Sequence, residues 1–369
     1  MQRMVYPFLA VFGRGLGVDL QTLSIALTTR SAVGVLSPFL ASVADTRGRR
    51  AGMLLGVFLF ILGTGIVVIW PTYTSFFLAL VMTLLAKQIF DPSLQAYLGD
   101  QVPYERRGRV IGLTELGWSL SFFLGVPLMG FLIARQGWVA PFPLLSFLGV
   151  LSLFGVYYLL PKQPKPDGNR PSMWRNFQTV LTYKPAIIAL MMGFFMFSAN
   201  EVFNLIFGVW LEDTFALQIT ALGLTAAVIG MAELGGDSLS AGFTDRLGKI
   251  QSIGLGVLLN IIAGLALPFL ARSMPGAILG LFLFYITFEF SVVSSIPLMT
   301  EILPAARATL LSINFATASL GRALGAFLAV PIYAWGIKGN MLVAAVLNLL
   351  VLLMVFLLNR ALSDSEKAS

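Results

Sequence analysis

The chain has 369 residues, of which 57% are hydrophobic and only 11% charged, and a formal net charge of +7 with no cysteine and no histidine. Water-soluble domains carry about 25% charged residues, so this chain would lack the polar surface to remain in water. The missing Cys and His exclude disulfides, thiol nucleophiles, the usual zinc ligand sets and histidine general bases.

In chain order, a short apolar piece at 3–14 comes first, followed by apolar runs at 21–44, 51–70, 74–99, 109–134 and 139–160. A Pro-, Lys- and Arg-rich stretch at 161–184 then separates them from runs at 185–210, 219–243, 250–271, 276–300, 308–335 and 339–361. A bilayer core of about 30 Å needs roughly 20 apolar residues per helix, and the stretches 51–86, 136–161, 250–271 and 339–359 contain no Asp, Glu, Lys or Arg. The expectation is therefore an all-α membrane protein. It divides into a helical bundle at 1–160, a linker at 161–184 and a second bundle at 185–369.

Sixteen Lys and Arg residues collect on one side of these helices and four (Arg14, Arg135, Arg272 and Lys338) on the other. By the positive-inside rule the richer side is cytoplasmic. This predicts a multi-pass protein of the cell membrane with cytoplasmic N- and C-termini. The basic excess is thus topology, and no nucleic-acid partner is expected.

The loop after the second helix reads Asp45-Thr46-Arg47-Gly48-Arg49-Arg50, and the loop after the eighth reads Asp245-Arg246-Leu247-Gly248-Lys249, 200 residues on. Asp100 to Arg106 after the fourth helix and Glu301 to Arg307 after the tenth repeat at an offset of 201. Two loop signatures at one offset indicate a duplication into six-helix halves. At that offset the opening of the seventh helix, residues 185–200, has no counterpart in the first half. The piece at 3–14 is about 18 Å long at 1.5 Å per residue, too short to cross. The expectation is that the chain starts inside its first membrane helix; the alternative is one helix over 4–29 enclosing Arg14 and Asp19.

These loops resemble motif A of the major facilitator superfamily, in Asp-x-x-Gly-Arg-Arg and Asp-Arg-x-Gly-Lys form. Ala41 and Ala241 stand where the motif has Gly, and Leu80 where the drug–proton antiporter branch has Arg. That branch's helix-5 motif is reduced to Gly125-Val126-Pro127 with Gly130. The resemblance implies two six-helix bundles, alternating access, and a central cavity lined mainly by helices 1, 4, 7 and 10. It further implies a cytoplasmic gate of Asp45, Gly48, Arg49 and Asp100, with Asp245, Gly248, Lys249 and Glu301 as its repeat, clamping the outward-facing state. The glycines keep the loops tight, and a carboxylate gains from an arginine and a facing helix N-terminus. The alternative is that these are solvated loop charges that serve orientation.

Nine ionisable residues fall inside the expected helices: Arg30, Lys87, Asp91, Glu115, Glu201, Glu233, Asp237, Glu289 and Arg322. On the lipid face they would cost about 20–30 kcal/mol together on insertion scales, so they must line a cavity or pair. Lys87 and Asp91 can pair along one helix face. Glu233 and Asp237 share a face with like charge, so the two can hold a proton between them. Glu233, Asp237 and Glu289 are the expected proton carriers, with static interhelical pairing the competing role. Arg30 and Arg322 stay charged and either hold an anionic substrate group or neutralise the acids. Glu115, near a helix end, reads as structural. Asn200, Asn204 and Tyr285 join Lys87, Asp91, Glu201 and Glu289 on cavity-lining helices.

The expected function is secondary active transport of a small organic solute by a monomer, with protons as coupling ion, export favoured over uptake, and no cofactor or metal. A non-transporting receptor or assembly subunit on the same fold is the competitor. An enzyme is disfavoured because no nucleophile–base set is apparent.

Overall fold

The computed structural model describes residues 1–40, 48–101, 114, 117, 120–161 and 173–368. Among these there are helices and no strand. The helices are α1 (Leu9–Leu16), α2 (Leu20–Val33), α3 (Arg49–Ile69), α4 (Tyr73–Gln101), α5 (Val126–Gln136), α6 (Pro141–Leu159) and α7 (Met173–Thr182). They continue as α8 (Lys184–Asn204), α9 (Phe207–Phe215), α10 (Ile219–Leu247), α11 (Lys249–Leu270), α12 (Met274–Ile302), α13 (Arg307–Tyr333) and α14 (Ile337–Ala368). Ten segments among the described residues are long and apolar enough to cross a membrane. The chain is a multi-pass helical membrane protein.

A single helix over 4–29 does not form. Gly17 takes a left-handed conformation (φ +66°) that closes α1, and Asp19 opens α2 by accepting from the Thr22 N–H at 2.8 Å. Those Thr22 hydrogen bonds hold the exposed Asp19 carboxyl below its ordinary range. Within the expected run 185–210 the helix breaks at Leu205-Ile206, dividing α8 from α9. α10 and α12 run further than expected, so Asp245 and Glu301 lie within helices rather than in the loops after them. Most of the expected linker that is described is helix: Phe177 and Val180 of α7 pack into the apolar core of the second half.

The glycines of the two signature loops share one backbone geometry. Gly48 has φ +93° and ψ +150°, and Gly248 has φ +89° and ψ +142°. Only glycine adopts this region without strain, so the repeat seen in sequence is a repeat of conformation.

In the first half α3 packs on α4 and α6; in the second, α8 packs on α13 and α14, and α11 on α12 and α14. The halves meet along α2 with α13 and along α5 with α10, with α1 reaching α9. Close backbone approach makes these seams. A Cβ on Gly208 would stand 2.4 Å from the Pro7 carbonyl oxygen, and one on Gly130 would stand 3.3 Å from the Cα of Gly223. Small residues are what let membrane helices touch at this range. Around the seam, Phe8, Phe12, Phe76, Phe142, Phe203, Phe207 and Trp210 form the largest apolar core. At the same end Arg14 of α1 pairs with Glu212 of α9 at 2.6 Å, and Tyr333 donates to Asp213 at 2.9 Å.

Candidate functional site

The intramembrane charges gather between the halves in two groups. In the first, Arg30 of α2 donates from Nη2 to the Tyr6 hydroxyl at 3.1 Å, and Tyr6 donates to Glu201 Oε1 of α8 at 2.9 Å. Asn204 donates to Glu201 Oε2 at 3.2 Å, and Tyr285 of α12 donates to Asn204 Oδ1 at 2.8 Å. Glu201 is 1% exposed and Arg30 4%, so both charges sit out of water, where a partner is required. Arg322 of α13 lies 4.2 Å over the Phe197 ring and within electrostatic reach of Glu201, Tyr6, Arg30 and Glu289.

The second group lies on α10 and α12. Glu233 pairs with Arg3 at 2.6 Å, and both side chains are 11% exposed. The Arg3 guanidinium also sits 4.3 Å over the Phe122 ring. Asp237 stands one helical turn beyond Glu233, and Glu289 packs against Gly236 between them, where an added Cβ would meet the Glu289 Cβ at 2.7 Å. Tyr285 feels both Glu201 and Glu233 and so bridges the groups.

Lys87 and Asp91 form the expected pair along α4. They line a cavity of about 550 Å³ together with Met1, Gln2 and Arg3, and with Gly56, Phe60, Met129 and Gly149 of α3, α5 and α6. The cavity walls are largely apolar.

Of the intramembrane residues singled out in the sequence, the structure thus joins Arg30, Glu201 and Arg322 in one group and Glu233, Asp237 and Glu289 in another. Glu115 lies outside the described residues. Arg3 and Tyr6 were missed, although both sit at the centre of the ionic contacts. The signal available was their place in an apolar segment too short to span. Also missed is a buried hydroxyl cluster between α10 and α12, in which Thr244 and Ser294 are 2.8 Å apart and Ser240 and Thr244 2.9 Å.

At the repeated loops the second half is described. Lys249 pairs with Glu301 across α11 and α12, whereas Asp245 is exposed. Of this set Lys249 meets Glu301 rather than Asp245, because the Gly248 turn ends α10 and starts α11 in a new direction. In the first half Asp45 and the Asp100 side chain lie outside the described residues. Arg49 opens α3, and its neighbour Arg50 binds the Tyr157 carbonyl at the end of α6.

Among the described residues no group of acids could hold a metal ion.

The sequence profile of the Major Facilitator Superfamily matches residues 1–326. The chain is 27% identical over 365 residues to an uncharacterized MFS-type transporter, YwfA, of Bacillus subtilis, covering 94% of this chain and 85% of that one. Its fold is similar to a crystal structure of a POT family transporter in complex with 5-aminolevulinic acid (TM-score 0.81, 14% identity, 98% and 93% of the two chains covered). It is also similar to that of a D-xylose–proton symporter (TM-score 0.76, 17% identity, 96% and 92% covered). A helical chain with paired glycine turns at one repeat offset, and with its charges gathered between two packed halves, belongs to the Major Facilitator Superfamily and is a membrane transporter, not an enzyme.

Proposed function

We propose that this transporter carries a small organic solute across the cell membrane by alternating access, coupled to protons and with export as the favoured direction. The duplicated halves, 1–160 and 185–369, act as the two moving bodies, joined by the 161–184 linker, in a monomer with both termini cytoplasmic. One observation carries the reading: the ionisable side chains of α2, α8, α10, α12 and α13 converge between the halves rather than on lipid. Such placement marks a solute or ion path.

One end of the halves is held by contacts between them. At the Arg14 end, the Arg14–Glu212 pair and the contact of Gly208 with Pro7 join the halves. With the Arg14 side outside, these contacts would close the outer end of the path. The loops of Asp45, Gly48, Arg49 and Asp100, and of Asp245, Gly248, Lys249 and Glu301, would close in the opposite state. Of the latter, Lys249 and Glu301 already pair within their own half.

Glu289 is the foremost proton carrier, with Glu233 and Asp237 beside it. It makes no ion pair or hydrogen bond among the described residues and faces two other carboxylates. A receptor on the same fold would have its charges locked in mutual pairs. Arg3–Glu233 and Lys87–Asp91 do pair, but Arg30, Arg322 and Glu289 form no salt bridge among the described residues.

The test is flux in proteoliposomes under an imposed pH gradient, with Glu289→Gln as the diagnostic variant. Gradient-driven accumulation is expected to fall at least about tenfold in the variant while exchange of solute for solute persists, since general acid–base groups typically contribute factors of a hundred or more. Full activity without a pH gradient would remove proton coupling. The sign of the gradient that drives uptake into vesicles of known orientation gives the direction.

A further inference from the structure

The first charge group contains more donor capacity than the protein itself satisfies. Arg30 is 4% exposed, yet its Nε and Nη1 have no hydrogen-bond partner among the described residues, and only Nη2 is engaged, by Tyr6. Glu201 cannot supply the missing acceptors, because Oε1 takes the Tyr6 hydroxyl and Oε2 the Asn204 amide. Arg322 makes no salt bridge to a described carboxylate and rests on the Phe197 ring.

Buried donors without acceptors are costly, and a buried guanidinium without a counter-charge more so. The group therefore holds two permanent cations beside Glu201, with Glu289 also within electrostatic reach of Arg322, and has nitrogen donors to spare. Beside Arg322, Phe197 meets Phe288 edge to face at 5.9 Å, which gives the polar donors an aromatic flank.

We infer that the Arg30 and Arg322 cluster is a binding site for an organic monocarboxylate, its carboxylate among these nitrogen donors and its apolar body against Phe197 and Phe288. A carboxylate supplies the missing acceptors and takes several charge-assisted hydrogen bonds at once. The inference rests on the proposed function in that the bound anion would be the cargo, but the site is tested independently of movement.

The experiment uses the full chain purified in lipid nanodiscs, with thermal unfolding as the readout and benzoate and hexanoate as probes. Benzamide and benzylamine serve as the neutral and cationic controls. Both carboxylates are expected to raise the melting temperature in a saturable way, and the controls to leave it unchanged. Arg322→Gln, at a half-buried position, is expected to weaken carboxylate binding about ten- to a hundredfold, as loss of one charge-assisted contact implies. Arg30→Lys, which keeps the charge but loses the planar fork, is expected to weaken it too.

Equal stabilisation by benzamide or benzylamine would overturn the site. So would no response to either carboxylate, which would leave ordered water as the partner of Arg30. A response unaltered in both variants would also overturn it. Counterflow of benzoate in proteoliposomes separates the two claims. Binding without movement would sink the transport of this cargo and keep the site, whereas benzoate counterflow unchanged in both variants would keep the transport and sink the site.

Discussion

The two charge groups between the halves solve the same problem in opposite ways. On α10 and α12, three carboxylates (Glu233, Asp237 and Glu289) crowd around one guanidinium, and that guanidinium comes from Arg3 of the other half. Around α2, α8 and α13, two guanidiniums share one carboxylate, and that carboxylate is taken up by neutral donors. The acidic group is stitched across the seam by an ion pair; the basic group is stitched by the relay from Arg30 through Tyr6 to Glu201. Tyr285 and Asn204 stand between them. The lesson is that a transporter seam can keep an acidic and a basic group only a few side chains apart, provided that each is tied to the facing half.

The largest effect should come from the cross-seam ion pair. Glu233→Leu removes the carboxylate from Arg3 and is expected to destabilise by about 3–5 kcal/mol, the cost of stranding one partner of a buried pair. The double variant Arg3→Met with Glu233→Leu should recover most of that loss. Thermal unfolding in detergent measures both, and a single-variant loss below about 1 kcal/mol would mean that the pair does not hold the seam.

A smaller effect sharpens the link between the groups. Tyr285→Phe keeps the ring packing of Phe203, Phe207 and Phe284 but removes the hydroxyl that donates to Asn204. The expected cost is about 1 kcal/mol, and Glu201→Gln should be less harmful in that background than in the parent chain, as a double-mutant cycle would show. Strictly additive losses would separate the two groups energetically.

The smallest effect is expected where the charge pair faces water. Lys249→Gln breaks the pair with Glu301, whose side chain is 57% exposed, and should change stability by less than about 1 kcal/mol. A loss as large as that at Glu233 would make this contact a structural clamp.

Legibility in the sequence followed the range of each interaction. Lys87 and Asp91 were readable because four residues along one helix fix both side chains on one face. Gly48 and Gly248 were readable because the repeat marks them and their backbone region favours glycine. Asp245 and Lys249, equally close in sequence, do not pair, because the same glycine turns the chain between them. The roles of Arg3 and Tyr6 were hidden, since nothing local tells a polar residue in a short apolar segment which of the facing helices it will meet. Glu201 was recognised as needing a partner, but Tyr6, 195 residues away, could not be named.

By itself the sequence determined the solvent, the helical segments, the duplication and the rule that intramembrane charges must turn away from lipid. All of these follow from composition, period and spacing along the chain. Only the tertiary structure decided which charges meet, which donors are left over and where the halves touch. Those outcomes depend on the depth and rotation of each helix, which are set by contacts such as Gly130 on Gly223 and Gly208 on Pro7 between residues far apart in the chain.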